Sequence, residues 1–572
     1  VAHSFPTRRS SDLPLILPDN RYVGIIDVPG HEKFIKNMVA GASSIDFVIL
    51  VIAADDGIMP QTREHLEIMQ LLGITNGIVV LNKVDLVDKD LILLAKEEIK
   101  DFLQGTFLQK APVVEVSPVT GQGIENLKQT IFSKLNQIQS KVSSSIFRMP
   151  IQRVFSKHGH GTVITGVPVS GYLTVGDSIE ILPGKIKSKV KKIQAYGKEV
   201  DTAKIGHSTA LNVKDINYKK IDRGQVVIVP DYLDSTKFVS ANFHYLESSN
   251  KVLTHMSEVR FHSGTLEAIG KVAILGHKKL EPGENGYVQF RLKNAVSVAP
   301  GDKFVVRLSS PKITIGGGTI IDIKEKKIKQ SNQTALAELQ EMEKTLKRPN
   351  SRIELLLKKA PNCFLSETEL HKKSQFIEKN FQEIMEQLIK NESIVKVNNS
   401  PAWYSHIFTV EKLQKKVFQE IKTYFKKNPY RIYLQKTILN TRVNIKILDF
   451  ILDILIKKQK IGIKSGSIYI IDRMVKLTSK KETLLKELES CYSGNLFTPP
   501  KFCDLPEKLN KTTNEIKELF EFLCDSKVLI KINEDLFFHK KALEKAYQLI
   551  IETLNNTGVL IAGEFRNTLD TS

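Results

Sequence analysis

Residues 77–85 read Gly-Ile-Val-Val-Leu-Asn-Lys-Val-Asp. The run Gly77–Leu81 is apolar without alternation, as in a strand buried on both faces, and it stops abruptly at a polar turn. Three further runs of the same kind are Tyr22–Val28, Phe47–Ala53 and Pro112–Val116. Helix-period segments, among them His31–Ala40, Pro60–Leu72 and Asp90–Leu103, lie between them. Strands alternating with crossover helices predict an α/β, doubly wound, mainly parallel sheet, with its ligand at the carboxyl ends of the strands.

Working outward, residues 146–325 lose helical periodicity. Short strand-like runs such as Arg148–Phe155, Thr162–Val167 and Val226–Val229, punctuated by Gly and Asp, predict two β-barrels with a boundary near 235. From about 330 the chain is helical again and repeats. Three segments each end in an apolar helix followed by a two-stranded pattern, and their anchor leucines, Leu388, Leu455 and Leu523, fall 67 and 68 residues apart. Hairpins tipped by Asn-Asn, Ser-Gly and Asn-Glu are expected after them, a winged-helix pattern (α+β, mainly helical). The expected multidomain organisation is 15–140 for the incomplete α/β module, 146–234 and 235–327 for the barrels, 333–407, 408–474 and 475–540 for winged helices, and 541–572 for a truncated fourth. Residues 1–14 read as a foreign or artefactual segment.

The composition is that of ordinary globular protein, with 41% hydrophobic and 26% charged residues in 572. No run approaches the roughly 18 apolar residues that span a membrane, and no apolar secretory core stands at the N-terminus. Four cysteines without a CxxC make no disulfide framework, which fits a reducing cytoplasm. Charge is the informative quantity. The net is +20, but residues 21–140 hold 11 bases against 15 acids, 141–330 hold 30 against 16, and 411–480 hold 17 against 5. An acidic first module followed by basic ones predicts divided labour, with a polyanion on the later modules. Tandem winged helices also serve as protein-binding modules; the basic stretch 411–480 favours nucleic acid.

The strand ends carry the chemistry. In Asp27-Val28-Pro29-Gly30-His31 the carboxylate of Asp27 is placed to hold Mg²⁺ through water, and the Gly30 amide can approach a terminal phosphate without a side chain intervening. At Asn82-Lys83-Val84-Asp85, the Asp85 carboxylate can accept both N1–H and the 2-amino group of guanine, a pair that adenine lacks. Asn82 and Lys83 would tie the loop and cover the base. Ser117-Pro118-Val119-Thr120-Gly121 can offer a backbone amide to guanine O6. Each motif alone is an ordinary turn between strand and helix; three in order, each at a strand end, point to a guanine nucleotide.

These residues resemble a known family. Asp27–Gly41 (DVPGHEKFIKNMVAG), Asp55–His65 (DDGIMPQTREH) and Asn82–Asp85 are similar to the translational GTPases of the elongation factor Tu superfamily. That resemblance implies GTP and Mg²⁺ as cofactors, with Pro29 and Gly30 at the phosphate and His31 positioning the attacking water when the ribosome pushes it inward. The phosphate loop GxxxxGK[ST] that opens the family's module is absent, as is the threonine-bearing switch before Asp27. The nearest run, Gly264 to Lys271, has five residues between its glycines and Val272 where a hydroxyl is required. This literal polypeptide is therefore expected to bind GTP weakly or not at all.

Within the superfamily, Gly301–Asp322 (GDKFVVRLSSPKITIGGGTIID) and the winged-helix tail resemble the selenocysteine-specific elongation factors of bacteria. The resemblance implies selenocysteyl-tRNA, the ribosome and an mRNA hairpin beside a UGA codon as partners of a cytoplasmic monomer that touches no membrane. Relatives hold the selenol with an Asp-Arg pair and a second arginine; here these positions read Gln152-Arg153 and Ser208, with His158, His160, His207 and Arg223 as substitutes to weigh. The alternative reading is a non-hydrolysing RNA-binding protein with a vestigial first module. A winged-helix transcription regulator would leave the Asn-Lys-Val-Asp run and both barrels unexplained.

Overall fold

The computed structural model describes residues 14–19, 21–27, 38–39, 45–138, 145–157, 161–310, 313–324, 326–361, 363–399, 401–439 and 445–569. The chain divides into two compact units, residues 1–359 with 366–393 and residues 360–365 with 394–572, so the expected helical domain 333–407 is shared between them.

In the first unit, strands Val48–Ala53, Gly77–Asn82 and Val113–Glu115 run parallel in that order. Alternation along the middle strand sends Ile78 and Val80 to one face, where Ile124, Leu127 and Ile131 of the Ile124–Leu135 helix cover them. Val79 and Leu81 face the opposite layer, packing with Leu66, Ile68 and Met69 of the Pro60–Leu71 helix and Ile99 of the Lys89–Phe102 helix. Both faces are covered by helices, which is why the sequence of the middle strand is apolar throughout. Pro60 opens its helix where a missing N–H costs nothing, and the Asp88 side chain accepts from the Leu91 amide at 2.9 Å to start the next helix.

The expected strand Tyr22–Val28 is corrected. Of its described residues, 22–27, only Tyr22–Gly24 form a strand, which pairs antiparallel with Pro14–Ile16 in a sheet of its own. The apolar run Pro14–Leu17, overlooked as strand, supplies the partner across a short turn. The hairpin stays open to solvent, with Ile16 58% and Tyr22 42% exposed. Of His31–Ala40, only Met38 and Val39 are among the described residues, and both are buried.

Two closed six-stranded barrels follow. The first links Ile186–Ala195, Thr209–Val213, Gly161–Gly166, Arg148–Lys157, Val226–Ile228 and Ser178–Leu182, and the last pairs back with the first to close the ring. The second closes in the order Thr236–Tyr245, Asn285–Val296, Leu266–Ile274, Ser257–Ser263, Lys303–Arg307 and Thr314–Lys324. Phe243, Phe261, Phe290 and Phe304 fill its centre with ring centroids 5.0–6.2 Å apart. The triple glycine Gly316, Gly317 and Gly318 lies inside the closing strand. A Cβ on Gly316 would stand 2.3 Å from the His244 carbonyl oxygen, and one on Gly318 2.0 Å from that of Asn242. A Cβ on Gly317 would meet the Phe304 carbonyl oxygen at 2.4 Å and Leu71 of the α/β module at 3.1 Å. The strand is thus squeezed between its neighbours while the module's helix lies on it. There Glu64 accepts from the Thr314 hydroxyl at 2.7 Å and faces Arg307 at 3.6 Å. Between the barrels, Arg148 forms a two-pronged bond to Asp302 at 2.9 and 2.6 Å.

Helices Gln333–Thr345, Pro349–Lys358, Glu367–Ser374 and Glu378–Lys390 complete the first unit. In the second, the hairpin Ile394–Asn399/Ala402–His406 leads into the helix Ile407–Lys427. The helix Ile445–Lys457 with hairpin Ile461–Lys464/Ser467–Ile470, and the helix Thr513–Asp525 with hairpin Leu529–Lys531/Phe537–His539, repeat the pattern. Leu388, Leu455 and Leu523 are each no more than 2% exposed, equivalent anchors of the repeat. Ser465 and Gly466 turn with φ of 50° and 76°, the left-handed pair that a two-residue hairpin needs. The first tip is corrected: Asn398 and Asn399 sit within the strand, opposite Trp403 and Ala402. Among the described residues no helix is long and apolar enough to cross a membrane.

Candidate functional site

The middle strand of the α/β module ends in a braced loop. The Asn82 carbonyl accepts from the Ala54 amide at 2.8 Å, fixing its level against the neighbouring strand. Lys83 then turns left-handed, φ 59°, and its ammonium reaches Asp55 at 2.8 Å and Asp56 at 3.2 Å. The hydrogen bond to Asp55, with that to Asp56, holds the Lys83 ammonium above its ordinary pKa, and the same bond from Lys83 holds Asp55 below. This reversal of direction throws Asp85 outward in a short turn, Val84–Leu86, while Val84 stays buried. Asp85 is exposed, and among the described residues its carboxylate makes no hydrogen bond or ion pair.

The loop after Val113–Glu115 comes to the same end of the sheet, where the Val84 amide donates to the Val116 carbonyl at 3.4 Å. Ser117 is fully buried. Its amide donates to the Gln122 carbonyl at 3.0 Å, its carbonyl accepts from Gly121 at 2.9 Å, and its hydroxyl accepts from the Thr120 amide at 3.2 Å. Gly123, φ 70°, closes the loop against the strand, where a Cβ would stand 1.9 Å from the Glu115 carbonyl oxygen. Only glycine fits.

Asn82, Lys83, Asp85 and Ser117 are thus brought together. Asp27 is exposed at the end of the described segment, and Pro29, Gly30 and His31 lie outside the described residues. Sequence reasoning missed Asp55 and Asp56 as the tether of Lys83; their signal was an acidic pair at the end of an apolar strand. The chemistry of a guanine fits what is present. Asp85 offers an unpaired carboxylate, and the buried Asn82 Oδ1 is an acceptor with no donor among the described residues. For Mg²⁺, no group of three or more His, Cys, Asp or Glu side chains converges among the described residues, which leaves Asp27 as the one carboxylate the sequence nominates.

On the first barrel, Gln152 and Arg153 lie on the strand Arg148–Lys157, where the register slips between Ile151 and Arg153. Ser208 immediately precedes Thr209–Val213, and both strands flank Gly161–Gly166, so the three residues sit at one end of adjacent strands. The Ser208 carbonyl accepts from the Tyr196 amide at 3.2 Å. His207 is half-buried 5.4 Å from the Tyr196 ring, and burial, then Lys204, keeps its imidazole below the ordinary range. Arg223 is lowered first by burial and also by the like charge of Arg153, with Glu267 opposing. His158 and His160 lie outside the described residues.

The family described as elongation factor Tu GTP binding domain matches residues 8–137, and elongation factor Tu domain 2 matches 161–228. A parallel α/β module with braced polar loops at its strand ends, followed by two closed barrels, defines a translational GTPase. The narrower assignment comes from the second barrel and the tail. The selenocysteine-specific elongation factor beta-barrel domain matches residues 241–327. The chain is 34% identical over 529 residues to the selenocysteine-specific elongation factor of Desulfomicrobium baculatum, covering 91% of this chain and 83% of that protein. It belongs to the selenocysteine-specific elongation factor family. A crystal structure of a bacterial selenocysteine-specific elongation factor superimposes with a TM-score of 0.62 at 26% identity, covering 98% of this chain and 87% of the other. Elongation factor SelB from Methanococcus maripaludis, in complex with the GTP analogue GppNHp, superimposes with a TM-score of 0.50 at 28% identity, over 55% of this chain and 73% of that one.

Proposed function

We propose that this chain carries selenocysteyl-tRNA to ribosomes at UGA codons in a GTP-dependent cycle in the cytoplasm, as a monomer, and that its winged-helix tail holds an mRNA hairpin beside the codon. The supporting observation is similarity to a selenocysteine-specific factor that runs through both barrels and into the tail. Asp85 reads the guanine edge, Asn82 and Lys83 brace and cover the base, and the Ser117 loop offers an amide to O6. Asp27 would hold Mg²⁺, Pro29 and the Gly30 amide would meet the phosphates, and His31 would orient the attacking water. Bound GTP supplies the phosphoanhydride whose hydrolysis commits the delivered tRNA. Gln152, Arg153 and Ser208 mark the aminoacyl pocket, in which the Arg153 charge favours a selenolate. Lys412, Lys415, Lys416, Lys422, Lys426 and Lys427 stand exposed on the helix Ile407–Lys427 and suit a phosphate backbone. A tail bound to the message raises the local concentration of cargo at the codon, a reason for both activities to share one chain.

The test is protection of the aminoacyl ester from hydrolysis at millimolar GTP, comparing selenocysteyl- and seryl-tRNA on one tRNA body. Selective protection of the selenocysteyl form is expected; equal protection refutes the pocket. The second reading is a non-hydrolysing RNA-binding protein, whose RNA contact rests on the basic stretch 411–480, with 17 bases against 5 acids. By either reading this polypeptide binds GTP weakly, and micromolar or tighter affinity by calorimetry would overturn that expectation.

A further inference from the structure

Beneath the seam between the barrels lies a cavity of about 60 Å³, at which the first helical segment also arrives. Arg148 enters it from the first barrel, Ala299 and Pro300 from the second, and Arg352 and Gln375 from the helical segment. These contributors belong to one compact unit. The backbone joins there as well, with the Ile146 amide donating to the Gln375 carbonyl at 2.9 Å.

The two arginines differ in how their charge is met. Arg148 is spoken for by Asp302, which takes both of its terminal nitrogens. Arg352 lies on the Phe376 ring, 5.8 Å from its centroid, and among the described residues it has no carboxylate partner. Burial lowers its affinity for protons, and the like charge of Arg148 lowers it further. Arginine stays protonated at any physiological pH, so this cation cannot shed its charge as a buried lysine would. A half-buried guanidinium beside a second one, lining one small cavity, calls for a counter-ion. The Gln375 side-chain amide, which also makes no hydrogen bond among the described residues, adds a neutral donor.

We propose that this cavity binds one free tetrahedral oxyanion of the phosphate class, held by the Arg352 fork and the Gln375 amide, which fastens the helical segment to the two barrels. Forked guanidinium donors suit a tetrahedral oxyanion better than a spherical halide. The volume admits one phosphate group and no nucleoside. A terminal or backbone phosphate of RNA shares this chemistry; enclosure by three modules favours the free ion.

The probe is inorganic phosphate, followed by ³¹P line broadening and calorimetry on the full chain, with sodium chloride matching the ionic strength. The expected result is one saturable phosphate weakened at least tenfold in Arg352→Met, restored in part in Arg352→Lys, and weakened severalfold in Gln375→Ala. Should Arg352→Met fail to fold, Gln375→Ala carries the test, because the main-chain contact of residue 375 survives the change. Absence of saturable binding, or binding indifferent to both variants, overturns the proposal. So does a short RNA oligomer that needs Arg352 where phosphate does not bind, since that outcome assigns the site to RNA.

Discussion

Replacing Asp302 by alanine strands Arg148 at the seam between the barrels. The guanidinium side chain is 15% exposed and its partner 22%, so neither charge is well hydrated. Asp302 accepts two bonds from Arg148, at 2.9 and 2.6 Å, and a third from the Ala299 amide at 2.8 Å. Removing one partner of a buried pair costs about 3–5 kcal/mol. The residual exposure argues for the lower end, about 3 kcal/mol, to which the orphaned Ala299 amide adds about 1 kcal/mol. Arg352 worsens the loss, because its like charge then acts on an Arg148 that has lost its carboxylate. The single tryptophan, Trp403, lies in the second compact unit, so its fluorescence does not report this seam. Amide hydrogen exchange of Arg148–Lys157 and Lys303–Arg307 is the suitable assay. At 1.4 kcal/mol per tenfold, exchange through seam opening should quicken by roughly two to three orders of magnitude. The double replacement Arg148→Met with Asp302→Leu should recover most of the loss, since an apolar pair of similar volume has no charge to desolvate. A cost below about 1 kcal/mol for Asp302→Ala would refute the view that this bond is buried and structural.

Gly318→Ala puts a Cβ 2.0 Å from the Asn242 carbonyl oxygen and should destabilise the second barrel by about 1–3 kcal/mol or more in urea unfolding, whereas Gly301→Ala, with open space around it, should act only through its φ of 94°. His65 has its imidazole pushed below the ordinary range, by burial first and against the pull of Glu64, and its Nε2 is buried without a partner among the described residues. A base depressed on folding contributes stability above its unfolded pKa and loses it as pH falls through 6.5 and below. His65→Phe should therefore flatten the decline in stability between pH 7 and 5, while Glu67, raised by burial, works in the opposite sense over the acid end of that range. In fluorescence anisotropy, an mRNA hairpin from beside a UGA codon should bind more tightly than a scrambled control, and both should bind salt-sensitively. Each lysine of Lys415, Lys416 and Lys422 changed to alanine should lower the salt slope by roughly 0.7–0.9. Equal binding of the two RNAs would contradict the proposed hairpin role.

What was legible in the sequence was what local chemistry fixes. Gly77–Leu81 could only be a doubly covered strand, and Asn82, Lys83, Asp85 and Ser117 could be placed at strand ends because apolar runs stop there. The spacing of Leu388, Leu455 and Leu523 revealed a repeat whose anchors are all buried. What escaped was decided by partners distant in sequence. Tyr22–Gly24 pairs with a run next to it instead of joining the parallel sheet, a choice that apolar content alone does not encode. The triple glycine has no local explanation, because its constraint comes from the Asn242 and His244 carbonyls and from Leu71, all more than seventy residues away. The tether of Lys83 to Asp55 and Asp56 spans 28 and 27 residues and two strands. The Arg148, Asp302 and Arg352 cluster unites three modules and left no trace in any local motif.

The most direct measurement compares guanosine, GTP and adenosine binding to the intact chain and to Asp85→Ala. A guanine edge reader assembled at residues 82–85 and 117–123, without a phosphate loop, predicts weak binding in which guanosine is within about threefold of GTP. It also predicts a preference for guanosine over adenosine that Asp85→Ala abolishes. Equal binding of guanosine and adenosine, or a preference that survives the loss of Asp85, would contradict the account.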